Sequence, residues 1–303
     1  MLVLFRNVLY SNAGNKLARF LVSPIKRSIP RSFRFPINGT IKVALPDGPD
    51  VTFHVNPTCY LGKVLFWEGL EGFEPGLRRI FRHLITQSHT FLDIGANIGY
   101  YSVLAAALNP TVTVHSFEPL PAPFKYLQKN LQANGAQWVT PHRIALSNVS
   151  GPTTFFYSLN PKFPFVEDQL TSTGSLDKEQ ANRTSNLKEA DVEQITLDAF
   201  AEQHGITGID LIKLDTEATE HFVMDGAKQT IDNHRPIILC EVLPGRVERE
   251  IQQRMSGRGY LQFKITHEGL KEVADLTHTS SKDNDYLFCP EEKRAAVASF
   301  VLS

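Results

Sequence analysis

The sequence predicts an α/β fold, a mainly parallel sheet with helices on both faces, preceded by a smaller helix-and-hairpin segment. Three observations predict it. Strand-like and helix-like runs alternate from residue 90 to a last strand at 286–289. A glycine turn within TFLDIGANIGYYS (90–102) joins the first of these strands to the first of these helices. Acids stand where the strands stop: Asp93, Glu118, Asp215 and Glu241. Ligands of an open α/β sheet bind outside the carboxyl ends of its strands, so these acids mark a candidate site.

The chain begins with apolar and basic residues at helical spacing over 1–22. This predicts an amphipathic helix that packs on the body, the commoner fate, or touches a membrane surface. Residues 23–36, rich in proline and arginine, read as a connector. Alternation over 41–45 and 51–55 around Pro46-Asp47-Gly48-Pro49 predicts a β-hairpin. A helix over 76–86 follows, with Pro75 at its start. The expected division is an appendage over 1–69 and a main domain over 70–303, with an insertion at about 152–196.

The glycine turn is the most informative stretch. Phe91-Leu92-Asp93-Ile94 reads as a strand, Gly95 and Gly99 as the turn, and 100–108 as an apolar helix. Glycine lets ligand atoms approach the backbone closely. The free N–H groups and positive dipole end of the helix attract an anionic group. Dinucleotide sites use G-x-G-x-x-G, but here Asn97 replaces the middle glycine. The form D-x-G-x-x-x-G, beginning at Asp93, looks like the first motif of class I S-adenosylmethionine-dependent methyltransferases. Their donor carries an amino acid end instead of a pyrophosphate, and its candidate contacts are Asp93, Gly95, Asn97 and Gly99.

A second strand over 111–117 ends in Glu118-Pro119, and Glu118 lies 19 residues past Gly99. At that spacing an acid accepts hydrogen bonds from ribose hydroxyls, and Pro119 can wall a base ring. The competing reading of Glu118 is a cap for the helix that begins near Pro121. A helix over 124–134 and a third strand over 139–144 lead to Ser147 and Asn148, candidates for the adenine end.

Residues 153–157 are strand-like, but the polar stretch 158–194 has little periodicity and stands where a substrate lid could sit. Regular alternation then returns. The expected elements are a helix over 195–204, a strand over 209–214, a helix over 222–233, a strand over 236–240, a helix over 246–257 and strands over 261–266 and 286–289. Asp215 and Glu217, just past the fourth strand, are the candidate catalytic acids. Methyl transfer to a hydroxyl needs an aligned acceptor, exclusion of water and a group to take the proton. The bland alternative for both acids is capping of a helix N-terminus. Glu241 is the candidate on the substrate side. Hard cations need several clustered oxygens, and the sequence offers no tight constellation, so no metal is expected.

Composition narrows the classes. The chain has 303 residues, 42% hydrophobic and 21% charged, as in an ordinary globular protein. Its net charge of −1 is uneven: the first 46 residues carry eight basic residues and no acid, so the remainder carries −9. An acidic body without a basic aromatic face argues against nucleic acid as partner. Cys59, Cys240 and Cys289 form no C-x-x-C pair, which argues against a zinc or disulfide framework. MLVLFRNVLY is shorter than the roughly 20 apolar residues of a membrane span. It also lacks secretory-signal features, so a cytoplasmic location is expected. Oligomeric state is open.

Taken together the chain resembles the FkbM family of methyltransferases. The resemblance rests on FEPGLRRIFRHLI, FLDIGANIGYYSVLAA, VHSFEP, RIALSNVSG, IDLIKLDTEATEHFVMDGA, IILCEV and the final DYLFCP, in that order. It implies a Rossmann-like class I methyltransferase fold with a seven-stranded sheet. It also implies S-adenosylmethionine as donor and O-methylation of a sugar, glycolipid, polyketide or similar acceptor. Carried over, Asp93, Gly95, Asn97 and Gly99 line the methionine end, Glu118 holds the ribose, and Asp215 and Glu217 match the D-x-E motif near the methyl group. The family usually has glycine after that glutamate, where this chain has Ala218. Two other readings stand beside it: a donor-binding assembly or regulatory protein without catalysis, supported by Ala218, and a nicotinamide-dependent oxidoreductase, opposed by Asn97.

Overall fold

In the computed structural model, residues 10–46, 48–170, 174–181, 186–276 and 284–302 are described. Residues 1–9 of the expected first helix, Asp47 of the hairpin turn and Thr171-Ser172-Thr173 of the insertion lie outside the described residues. Helix α1 (Asn12–Val22) is capped by Ser11, whose side chain accepts from Gly14 N. Strands β1 (Gly39–Val43) and β2 (Val51–Val55) pair antiparallel as the expected hairpin. Helix α2 (Tyr60–Glu68) was not legible, and α3 (Pro75–Ile85) starts one residue earlier than expected, on its proline.

Two βα units follow: β3 (Thr90–Ile94) with α4 (Tyr100–Leu108), and β4 (Thr113–Phe117) with α5 (Pro121–Ala133). Strands β5 (Thr140–His142), β6 (Ala145–Leu146) and β7 (Gly151–Ser158) lead through the short α6 (Lys178–Ala181) to β8 (Leu187–Ile195). Next come α7 (Leu197–Gln203), β9 (Leu211–Leu214), α8 (Glu220–Asp225) and α9 (Lys228–His234). The chain closes with β10 (Ile237–Glu241), α10 (Glu248–Met255), β11 (Tyr260–Ile265), β12 (Leu270–Glu272) and β13 (Asp285–Pro290).

The main sheet runs β12-β11-β13-β10-β9-β3-β4-β5. From β10 to β5 all neighbours are parallel, whereas β13 is antiparallel to both β10 and β11. The parallel strands are apolar on both faces because helices cover both. Phe91, Leu211 and Leu239 pack on one side with α3 and α4, and Leu92, Ile212 and Ile238 on the other with α7 to α10. The sheet has eight strands, not the expected seven. The extra edge strand, β12, has only three residues, set by the turn in which Thr266 N donates to Gly269 O at 2.9 Å.

Two further expectations are corrected. The insertion is not irregular throughout: its expected strand, β7, pairs antiparallel with the unexpected β8 from Gly151↔Gln194 to Ser158↔Leu187 and, with β6, forms a second sheet. LKEADVEQI hides its alternation because much of the strand is solvated and charged. The helix expected over 222–233 is two helices, broken at Gly226-Ala227. Gly226 lies so close to the Ser147 carbonyl that a Cβ would come to 2.0 Å from it. Asp198 then caps α9 by accepting from Gln229 N and Thr230 N.

The hairpin is tied to the main core through α5. Buried Asn130 accepts from His54 N at 2.6 Å and donates to Ile98 O at 2.8 Å, so one amide joins β2, α5 and the glycine turn. Asn134 accepts from Thr52 N and donates to Thr52 O, serving the strand edge as a neighbouring strand would. Asn130→Ala leaves two buried backbone groups unpaired and is expected to cost about 2–3 kcal/mol, measured by urea denaturation.

Candidate active site

Parallel strands present their carboxyl ends along one edge, and β3, β4, β9 and β10 are adjacent. The ends of β3, β4 and β9 and the loops after them gather around one cavity, lined by Asp93, Gly95, Asn97, Glu118, Pro119, Asp215 and Glu217 among others. Glu241, at the end of β10, is outside that lining. The cavity opens where the strand order reverses between β3 and β9, the place where such sheets bind ligands.

Gly95 is required by geometry. Its φ is +82°, and a Cβ would stand 1.8 Å from the Asp215 carbonyl oxygen. The turn thus lies against the loop after β9. Gly99, at φ +84°, opens α4 and packs against Leu127 of α5; it does not line the cavity. Asn97 also takes a positive φ, and its backbone N–H donates to Glu118 Oε2 at 3.0 Å.

Glu118 is buried, and its other oxygen accepts from Leu120 N at 2.8 Å, at the start of α5. Glu118 thus ties down the residue that precedes α5 and also lines the cavity. Burial pushes its carboxyl up to about 7, against the pull of the two N–H groups. Asp93 accepts from the Ser102 hydroxyl, which also meets Ser116 Oγ at 2.6 Å. Burial raises Asp93 to about 6.

Across the cavity, Lys213 of β9 is buried and donates to Asp215 Oδ2 at 3.1 Å, with Nζ 5.6 Å from the centre of the Tyr101 ring. Burial alone would lower its pKa. Asp215, Glu74, Asp285 and Glu241 outweigh burial and hold the ammonium well above its ordinary value. Asp215, Glu217 and Glu241 bring carboxylate oxygens within 4.8 Å of one another, close enough to share a cation. The sequence showed no such constellation, because Glu241 comes from the neighbouring strand. Burial, then the Asp215 charge, raises Glu217 to about 8; the same causes, with Glu217 added, raise Glu241 to about 11. Lys213 is the buried cation of this acidic group, and Arg246 also draws on Glu217.

The loop after β9 is shaped by consecutive positive-φ residues, Glu217 at +55° and Ala218 at +73°. Buried Glu220 holds it, one carboxylate oxygen accepting from Thr216 N, Thr216 Oγ1 and Ala218 N. Ala218 thus keeps the left-handed conformation that glycine adopts without strain.

Ser147 and Asn148 do not line the cavity; Ile144, Ala145 and Leu146 do. β6 turns the chain into the second sheet, where Ser147 N donates to Ile195 O at 3.0 Å, and Asn148 faces a separate groove beside α7 and α9. Sequence reasoning missed Lys213 and Glu74. Glu74 stands at φ +41° before α3 and accepts from Tyr101 Oη at 2.5 Å. A lysine inside the apolar run IDLIKLD was the available signal. Also missed were cavity contacts from the flanking segments: Tyr60 and Leu61 from α2, and Phe155, Leu170 and Leu176 from the insertion.

Residues 93–264 match the methyltransferase FkbM domain family. The chain is 27% identical over 159 residues to a 31-O-demethyl-FK506 methyltransferase FkbM from Streptomyces tacrolimicus, covering 45% of this chain and 58% of that protein. It is 26% identical over 146 residues to a methyltransferase 1 from Beauveria bassiana strain ARSEF 2860, covering 45% and 57%. The chain therefore spans less than two thirds of the length of either relative. A crystal structure of a methyltransferase FkbM from Methylobacillus flagellatus KT superposes with a TM-score of 0.44 at 16% identity, covering 66% of this chain and 43% of that one.

The close approach at Gly95 and the left-handed turn at Ala218 make opposite predictions. Gly95→Ala must displace the Asp215 carbonyl and is expected to cost more than about 3 kcal/mol. Ala218→Gly relieves about 1–2 kcal/mol of left-handed strain. It loses a buried methyl worth about 0.8 kcal/mol and some unfolded-state restriction. Its stability should stay within about 1 kcal/mol of the parent, as read by chemical denaturation.

Proposed function

Since the chain belongs to the methyltransferase FkbM family, we propose that it is an S-adenosylmethionine-dependent O-methyltransferase acting on a hydroxyl of a carbohydrate, glycolipid or natural product. The observation that carries this reading is the Glu118 carboxylate, held by the N–H of Asn97 and facing the same cavity as Asp215 and Glu217. The residues present suit the donor. Each oxygen of Glu118 takes one backbone N–H and retains a lone pair for a ribose hydroxyl. Gly95 brings backbone to the cavity wall while packing against the Asp215 carbonyl, and Asp93 offers a carboxyl to an amino group.

Bound there, the donor supplies a methyl group on a positively charged sulfur and departs as a neutral thioether. The acid-rich cavity attracts that positive charge and so contributes to donor binding, while acceleration is left to alignment of the acceptor and removal of its proton. Glu217, or Asp215 beside it, takes the proton of the acceptor hydroxyl as the new carbon–oxygen bond forms. Lys213 steadies Asp215 through its 3.1 Å contact. Glu241, whose carboxylate lies within 4.8 Å of those of Asp215 and Glu217, is the proposed contact on the acceptor side. The aromatic and aliphatic side chains of the insertion and of α2 exclude water and shape acceptor choice. The name of the Streptomyces relative, a methyltransferase of demethylated FK506, supports a natural-product hydroxyl as one acceptor to screen.

Calorimetric titration with S-adenosylhomocysteine, with NAD as control, tests the donor site; absence of the first binding removes the reading. Glu118→Ala is expected to weaken that binding at least roughly tenfold through lost charge-assisted hydrogen bonds, with circular dichroism confirming an intact fold. Glu217→Gln should leave binding in place and lower turnover by roughly 10²–10⁴. Because Glu217 must be deprotonated to accept a proton and is raised to about 8, parent turnover should climb as pH rises through about 8. Unchanged turnover in Glu217→Gln would assign that carboxyl to shaping the loop alone.

A further inference from the structure

Helix α1 sits on the body by its polar side. Fully buried Asn15 donates to Pro36 O at 3.0 Å and accepts from Asn38 N at 2.9 Å, and Arg19, one turn on, donates to Thr40 O at 2.6 Å. At 100° per residue the opposite side carries Leu17, Phe20 and Leu21, which are 59%, 75% and 64% exposed. Ile25 and Phe33, just beyond, are 59% and 76% exposed. This inverts the usual surface helix, whose apolar stripe faces the core.

Basic residues flank the stripe. Lys16 and Arg27 are exposed, and Arg31 stands at the rim, held loosely to Glu68 at 3.3 Å. Beside the helix runs a groove lined by Lys16, Arg19, His54 and Lys129, with no carboxylate among the described residues of its wall. We propose that this face docks on an anionic phospholipid bilayer. The apolar residues of α1 would enter the headgroup boundary and the groove would take a lipid phosphate.

Charge selects this occupant. The first 46 residues hold eight basic residues and no acid, so a second copy seated here by the same face would set like charge against like. The rest of the chain carries −9, which turns the acidic body away from the same membrane and orients the molecule on it. The face also continues into the site's surroundings. Tyr10 packs on Phe163 and Phe165 of the insertion, which supplies Leu170 to the cavity wall. Docking would therefore bring a lipid-borne hydroxyl near the cavity. That consequence rests on the methyltransferase reading, whereas the docking does not.

The test is co-sedimentation of the full chain with phosphatidylcholine vesicles, plain or with about a third phosphatidylserine. Binding to the anionic vesicles, weakening as salt is raised, is expected. Phe20→Ser with Leu21→Ser, and separately Lys16→Glu with Arg27→Glu, should each weaken it by roughly tenfold or more. S-adenosylhomocysteine binding should be unchanged in both, which separates a docking failure from a failure of the donor site. Absence of sedimentation with anionic vesicles would overturn the proposal, as would equal binding by the variants. A solution dimer dispersed by Phe20→Ser with Leu21→Ser, without vesicle binding, would overturn it in favour of self-association.

Discussion

The ammonium of Lys213 is the charge around which the site is balanced. It is buried, 3.1 Å from Asp215, with the Tyr101 ring beside it. An isolated ammonium at that depth would shed its proton. Conversely, Asp215, Glu217 and Glu241 meet at one strand edge, where burial first and then their mutual repulsion raise the latter two far above the ordinary carboxylate range. Each side makes the other tolerable. Losing Asp215, whose own side chain is partly exposed, would strand the buried ammonium.

A second constraint is backbone contact. The turn after β3 and the loop after β9 approach so closely that Gly95 has no space for a side chain beside the Asp215 carbonyl. Glu118 fastens the same turn from the other side through Asn97 N. Adjacent parallel strands thus bring three loops into register, and the hydrogen bonds between loops hold side chains that strand pairing alone would leave mobile. At Ala218 the loop keeps a left-handed turn without glycine, because three donors converging on Glu220 hold it.

How much of this was legible depends on how local each cause is. Strands β3, β9 and β10 could be read because burial on both faces leaves apolar runs bounded by acids. Strand β8 could not, because its solvated face supplies charges that mask the alternation. Glu118 announced itself by spacing. Lys213 did not, since a lysine in an apolar run gives no local sign of its burial. Of the acids that hold it only Asp215 is near in sequence, while Glu74, Asp285 and Glu241 come from other strands and loops. Ser147 and Asn148 were misassigned because their direction depends on β6 pairing with β8, residues far ahead in the chain.

The sequence by itself determined the alternation of strands and helices, the glycine turn after β3 and the placing of acids at strand ends. Each follows from periodicity, backbone freedom or chain punctuation within a few residues. Only the tertiary structure decided which acids converge, which of them stay protonated near neutrality, and that α1 turns its apolar side outward. Those outcomes are set by distances and burial among segments remote in sequence, quantities that no local pattern encodes.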